Sequence, residues 1–390
     1  MIEAGVFEFY GVHRPHWFEK TQAEWLRTTP RVRELARYTE MGAIVMEEQI
    51  DWDALTFSFT PTDTMYVAEC KLGEEWTQGE MMPFGDITIS PAAGVLNYGQ
   101  GLFEGMKAQR SVNGGIVLFR PERNAARLQA GAKRLGMPPV PEEMFLDAVE
   151  SVVAANARWV PPTGKGALYI RPVLWGTGAI LGVSPAPEYT FMIYVCPVGP
   201  YFKGGMHPIS LKVSDDYHRA CPGGSGGVKA IGNYAPGMMP SKGAKSEGFA
   251  EIIYLDAVDH RYIEEVGAAN FFCVKDGIIY TPELTGTILP GITRASIIDL
   301  ARNKGYEVRE EKVDIEFVLQ ADECFCAGTA AVISPIGSIC HGDVCTMYSN
   351  NEVGAVTGEL YDALTGIQTQ VEADVFGWIR AVPIPNIEAE

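Results

Sequence analysis

Two rhythms of apolar residues run along the chain. A period of two marks "DTMYVAEC" (63–70) and "ALYIRPVLW" (167–175), both rich in β-branched and aromatic residues, and predicts strands. "LTFSFT" (55–60) alternates in the same way and predicts another strand ahead of them. "GGIVLF" (114–119) and "EYTFMIYVCPVG" (188–199) are continuous apolar runs and predict buried strands. Helical spacing replaces this pattern in "PERNAARLQAGAKRLGM" and "PEEMFLDAVESVVAANARWV". These open on Pro121 and Pro141, and a proline is tolerated in the first turn because its missing N–H would be unpaired there anyway.

The second half repeats the mixture. "ISLKVSDDY" predicts a strand, and "AEIIYLDAVDHRYIEEVG" a strand, a turn and a strand. "NFFCVKDGIIYTP" predicts a hairpin turning on Asp276-Gly277. "GITRASIIDLARNKGYEV" predicts a helix that opens near Thr293, closes before Gly305 and carries a stripe of Ile297, Leu300 and Ala301. "DECFCAGTAAVISPIGSI" predicts two strands about a tight Gly328-Thr329 turn. Strands and helices mix irregularly, which predicts an α+β fold in two domains rather than a doubly wound sheet. The Gly/Pro-rich "GPYFKGGMHP" (199–208) reads as a linker between a domain at 51–198 and another at 209–390. Residues 1–50 read as an N-terminal extension of two short helices divided at Pro30.

Composition narrows the classes. The chain holds 31 Lys and Arg against 49 Asp and Glu, a formal net charge of −18. Such a surface repels phosphate backbones and anionic lipid headgroups, so neither nucleic acid nor membrane is an expected partner. No apolar run approaches the roughly 18 to 20 residues that span a bilayer. The N-terminus has neither a secretory nor a transit-peptide pattern, which predicts a cytoplasmic protein, or an organelle-lumen protein from which a transit peptide has been removed. Eight cysteines at irregular spacing do not form a disulfide framework. Cys324 and Cys326 would share one face of a strand. Cys340, His341 and Cys345 lack the CxxC spacing of a structural zinc site, so reduced thiols and no metal are expected.

One segment departs from this ordinary texture. "CPGGSGGVKAIGNYAPGMM" (221–239) carries a single charged residue, Lys229, among glycines and small apolar residues. A desolvated ammonium has a lowered pKa and becomes a usable amine nucleophile, as a Schiff base with a carbonyl cofactor requires. A phosphate loop fails here, because no Gly-Lys-Ser/Thr follows. A lysine whose head stays in water is the plain alternative. Other segments offer matching parts. Arg120 precedes a helix and suits a phosphate clamp. "LPGITR" presents the N–H groups of Ile292 and Thr293 at a helix N-terminus. Thr329 and Ala330 form a turn, Glu265 could face a ring nitrogen, and Tyr234 could donate to a ring oxygen. Each residue taken singly is equally a surface ion pair, a strand end or a turn former.

Taken together, "VLNYGQGLFEGMKAQR", "IVLFRPERNAARL", "GALYIRPVLWGTG", "PGGSGGVKAIGNYA", "YIEEVGAANFF", "GTILPGITRASIIDLA" and "FCAGTAAVISPIGSI" resemble the branched-chain amino acid aminotransferases, pyridoxal-phosphate enzymes of fold type IV. The resemblance runs from Asp51 to "FGWIRAV", in matching order. It implies a small α/β domain and a larger β-rich domain with the active site between them. It implies pyridoxal 5'-phosphate joined to Lys229, with phosphate contacts from Arg120, Ile292, Thr293 and Thr329. Glu265 would partner the pyridine nitrogen and Tyr234 the ring oxygen. Substrate would meet Tyr98, Phe103, Tyr169, Arg171, Trp175, Val183, Thr329 and Ala330, with Arg171 taking the side-chain carboxylate of glutamate and the Thr329–Ala330 turn the α-carboxylate. Tyr98 and Val183 would come from the neighbouring subunit of a homodimer. The implied reaction moves an amino group between L-leucine, L-isoleucine or L-valine and 2-oxoglutarate, in ping-pong fashion. Its rivals are a D-amino acid transaminase and an aminodeoxychorismate lyase, which share the lysine and phosphate contacts but lack "YIRP" followed by "GTG…LGV". Two departures stand out. Ala268 replaces a hydroxyl residue common in the family, a loss of about 1 kcal/mol of hydrogen bonding. Ala331 and Ser334 stand where mammalian members carry a Cys-x-x-Cys, so that redox switch is not expected.

Overall fold

The computed structural model describes residues 50–200 and 205–384. The two helices expected around Pro30 and part of the expected linker lie outside the described residues. Elements follow the hydrophobic rhythm closely. The first part holds β1 (Thr64–Lys71), β2 (Glu80–Pro83), the short helix α1 (Gly94–Tyr98), β3 (Gly101–Phe103), β4 (Met106–Arg110) and β5 (Ile116–Phe119). Helices α2 (Pro121–Arg134) and α3 (Glu142–Ala155) and strands β6 (Ala167–Gly176) and β7 (Glu188–Val198) complete it. Then come β8 (Ile209–Ser214), α4 (Met238–Ser246), β9 (Glu251–Leu255), β10 (Ile263–Val266), β11 (Ala269–Lys275) and β12 (Ile278–Pro282). Helix α5 (Ile292–Asn303), β13 (Val308–Glu311), α6 (Ile315–Val318), β14 (Glu323–Gly328), β15 (Val332–His341), β16 (Val344–Met347), α7 (Ala355–Thr369) and β17 (Ile379–Ala381) end the described chain.

Strand pairing makes two sheets. The first runs β17–β5–β4–β6–β7–β1–β2, with β3 also beside β6. The second runs β10–β9–β8–β15–β14–β11–β12–β13, with β16 on β15, and a β10–β11 pairing closes it on itself. The last strand, β17, returns to the first sheet, where Arg380 pairs with Leu118. Alternation explains why the second sheet is buried on both faces. Phe271 and Cys273 of β11 and Cys324 and Cys326 of β14 point into one core with Leu211 and Ile253. Phe272, Val274 and Phe325 point the other way, against Ile297 and Leu300 of α5 and Leu360 and Leu364 of α7. In the first sheet, Phe145 of α3 stacks on Phe191 of β7 at 5.9 Å between centroids. Among the described residues, no helix is long and apolar enough to cross a membrane.

Two expectations fail. Residues 55–60 form no strand. The Thr56 hydroxyl accepts the Ser58 N–H, a local bond that competes with a ladder, and Pro61 has no N–H to give. Instead the rings hold the segment: Phe57 meets Tyr169 edge-on at 5.3 Å, and Phe59 lies 5.6 Å from Phe84. The cysteines are not all reduced either. Cys340 and Cys345 face each other across the β15–β16 hairpin and form a disulfide. The apolar pattern ends at Ile339, so spacing alone predicts neither this hairpin nor its cross-strand pair.

Candidate active site

A cavity of about 740 Å³ is lined from both sheets: Phe103, Tyr169, Arg171 and Trp175 come from β3 and β6, and Val266, Ala269 and Cys326 from β10, β11 and β14. Lys229, Tyr234, Thr329 and Ala330 complete its wall. Tyr169 and Arg171, two residues apart on β6, face it together, as a strand requires. The Lys229 Nζ lies 4.8 Å from the centre of the Phe103 ring and 5.8 Å from that of Tyr234. Burial, reinforced by the Arg127 charge and opposed by Glu104, pushes the Lys229 ammonium down to about 8. Tyr234 packs edge-on against Phe103 at 4.8 Å, and burial beside Glu265 raises its phenol.

Glu265 is 2% exposed and forms an ion pair at 2.5 Å with Arg219. Burial raises its carboxyl to about 7, against the pull of Arg219 and Lys229. Asn270 donates to Glu265 Oε1 at 2.8 Å and to the Leu289 carbonyl at 3.0 Å, which ties the acid to the turn that opens α5. Among the described residues that helix begins after Gly291 with no side-chain cap and no acid in its first turn, which leaves the N–H groups of Ile292 and Thr293 to an anion. A Cβ on Gly291 would stand 2.0 Å from Asn270 Oδ1, so this approach tolerates no side chain. Arg120 is 4% exposed, adopts φ 48° and stacks 4.7 Å over Trp378. Its Nη1 donates to Ser296 of α5 at 2.8 Å, while its Nε has no hydrogen-bond partner among the described residues. Arg120 does not line the large cavity. A small cavity of about 40 Å³ beside it brings together Lys107, Ile292, Thr293 and Thr329.

The 103–107 segment supports the Thr329–Ala330 turn. Thr329 donates to the Gly105 carbonyl at 3.3 Å, and Lys107 donates to the Ala330 carbonyl at 2.6 Å. A Cβ on Gly105 would meet the Tyr169 hydroxyl at 2.1 Å. Below this turn Glu104, fully buried, accepts from Arg127 Nη2 and from Asn124, each at 2.7 Å. Arg171 Nη2 donates to the Tyr169 hydroxyl at 3.3 Å, and its Nε is buried without a hydrogen-bond partner among the described residues. Ala268 lines the cavity, where its methyl group offers no hydroxyl.

Tyr98 and Val183 are not brought to this cavity. Tyr98 is 41% exposed and bonds the Leu181 carbonyl, and Val183 is 87% exposed. Sequence reasoning missed Lys107, Arg219, Asn270 and the Glu104–Arg127 pair. Lys107 had a signal, a lone lysine between the buried Met106 and Ala108 on a strand. Arg219 stands two residues ahead of the 221–239 segment in which Lys229 is the single charge. Asn270 had none, since only the fold sets it between Glu265 and α5.

These residues fit pyridoxal phosphate: an unpartnered guanidinium nitrogen and an uncapped helix end for the phosphate, a buried acid for the ring nitrogen, and an amine near neutrality for the aldehyde. The class IV amino-transferase model matches residues 101–339. A chloroplastic branched-chain amino acid aminotransferase of Humulus lupulus is 55% identical over 329 residues, covering 84% of this chain and 81% of that protein. A methionine aminotransferase of Arabidopsis thaliana is 46% identical over 329 residues, 84% of this chain and 92% of that one. Among solved structures, the branched-chain amino acid aminotransferase of Escherichia coli superposes with a TM-score of 0.72 at 31% identity, over 83% of this chain and 100% of that one. The chain belongs to the class IV amino-transferases, in their branched-chain amino acid aminotransferase branch, and uses pyridoxal 5'-phosphate.

Proposed function

We propose that this enzyme exchanges the amino group of L-leucine, L-isoleucine or L-valine with 2-oxoglutarate, in two half-reactions at the one cavity. The observation that carries the reading is a mainly apolar chamber with Lys229 in its wall and the Arg171 fork at one edge. Bound pyridoxal phosphate supplies the electron sink for the substrate α-carbon and carries the amino group between half-reactions. With the cofactor bound, Lys229 Nζ would take the substrate α-proton and hold it for return, general acid–base work by one positioned amine. Glu265, paired with Arg219, would partner the ring nitrogen, and Tyr234 the ring oxygen. Arg120, the Ile292 and Thr293 N–H groups and Thr329 anchor the phosphate.

The Thr329–Ala330 turn receives the α-carboxylate. Phe103, Tyr169 and Trp175 pack the branched side chain, and Arg171 takes the distal carboxylate of 2-oxoglutarate bidentately. Tyr98 and Val183, exposed on one chain, would reach the cavity of a second copy in a homodimer. The division at 199–208 stays a proposal for the linker between the halves. The chloroplastic relative favours an organelle lumen over the cytoplasm.

The test is amino transfer to 2-oxoglutarate from each of leucine, isoleucine and valine, with methionine and D-alanine in parallel. Turnover of the three branched substrates, none of D-alanine and none by Lys229→Ala is expected. Transfer from D-alanine or methionine with none from the branched three would overturn the substrate reading.

A further inference from the structure

Strand β10 carries two consecutive glutamates, and all four of its residues are buried. A register shift between Ile263 and Glu265 in the β9–β10 pairing turns the two glutamates to different surroundings. Glu265 turns toward Arg219 and Lys229. Glu264 lines a separate cavity of about 180 Å³ that shares no lining residue with the large one. Glu264 is 5% exposed. The Thr287 hydroxyl, 2.9 Å from that of Thr285, favours the ionised Glu264 carboxyl, yet Oε2 has no hydrogen-bond partner among the described residues. A buried acceptor left unmatched is unfavourable, and a donor that enters the cavity removes the penalty.

The rest of the wall states what kind of donor. Asp256, Asp259 and Glu283 add carboxylates to the wall against Lys312, while Arg219 and His218 act on Glu264 from outside the cavity. Asp256 accepts the N–H groups of Val258, Asp259, Arg261 and Tyr262, which hold it ionised. Lys312 is already engaged, 3.7 Å from Asp259 and 4.6 Å over the Tyr262 ring. The excess negative charge selects a cation. Among the described residues, no group of three or more His, Cys, Asp or Glu side chains is arranged to hold a metal ion. Pro222, Val258, Ile263, Pro282 and Ile288 instead give the cavity apolar sides suited to methyl groups. We propose that this cavity binds a small organic ammonium ion, whose N–H donates to Glu264 Oε2 and whose alkyl groups lie against the apolar wall. The site is independent of the transaminase reading, and its occupant sits one peptide unit from the partner of the ring nitrogen.

The probe is trimethylammonium chloride, which has one N–H and cannot condense with the cofactor aldehyde. Calorimetric titration of the holoenzyme, against equal sodium chloride, is expected to show one saturable site per chain. Tetramethylammonium, which has no N–H, should bind at least about ten-fold more weakly, as should Glu264→Gln. Val258→Trp at the exposed rim should block entry without touching Glu264, and it serves if Glu264→Gln does not fold. The proposal is overturned by any of three results: no saturable heat with trimethylammonium, equal affinity for the two cations, or unchanged affinity in the folded variants. Binding heat is read without turnover, so this outcome and that of the amino-transfer assay are separable.

Discussion

Lys229 differs from the other lysines of the chain by what surrounds its nitrogen. Burial disfavours the ammonium most, Arg127 and Arg171 repel it, and Glu104 and Glu265 only partly compensate. The neutral amine, the form that attacks an aldehyde, therefore predominates above pH about 8. Cofactor-free enzyme mixed with pyridoxal phosphate should gain bound-cofactor absorbance at a rate that climbs with pH and levels off near about 8. A rate still climbing through pH about 10, as for an ordinary lysine at 10.5, would contradict this environment. Lys107 acts one step further out, by holding the Ala330 carbonyl. Lys107→Met should raise KM for both leucine and 2-oxoglutarate by about five- to ten-fold, the worth of one buried hydrogen bond, and leave cofactor content unchanged. Steady-state kinetics beside an absorbance measure of bound cofactor checks both halves.

At the scale of elements, local chemistry sets most boundaries. Asp276 and Gly277 both have positive φ, 51° and 75°, the geometry a two-residue hairpin demands, and β11 and β12 pair around them. Helix α5 starts and stops where Gly291 and Gly305 punctuate it. Gly291 has φ −65°, so its need for glycine comes from the Asn270 side chain and not from backbone strain. Gly291→Ala should push the N-terminus of α5 off Asn270 and weaken cofactor phosphate binding by about ten-fold or more, read by titrating cofactor-free enzyme with pyridoxal phosphate. Segment 55–60 shows the limit of pattern. Alternation reports that every second residue is apolar, but not whether a neighbouring strand is there to pair with. The Cys340–Cys345 bridge likewise needed a β15–β16 register that no spacing rule reveals.

The whole molecule joins its two sheets through buried charge. Arg127 of α2 grips Glu104 beside β3 and donates to the Pro290 carbonyl at 3.1 Å, on the approach to α5. Burial alone would raise the Glu104 carboxyl, but the Arg127 fork outweighs it and holds the carboxyl below its ordinary value. A carboxylate depressed by folding stabilises the protein above its unfolded pKa, and that contribution fades as pH falls through the folded value. Arg127→Met leaves Glu104 buried without its partner and should cost about 3 to 5 kcal/mol. Urea unfolding at neutral pH measures the loss, and the gap from the parent should narrow in acid.

Local order determined a great deal: the alternation of β6, the apolar run of β7, the turn at Asp276-Gly277, the reversal after Gly328 and the lone lysine in a glycine-rich loop. These depend on neighbours within a few residues, where spacing and backbone sterics act directly. Tertiary structure alone decided that Asn270 links Glu265 to α5, that Lys107 reaches Ala330, and that Glu264 opens onto a cavity of its own. Such contacts join residues far apart in the chain, or turn adjacent ones to different surroundings, and their energies exist only once the two sheets have closed.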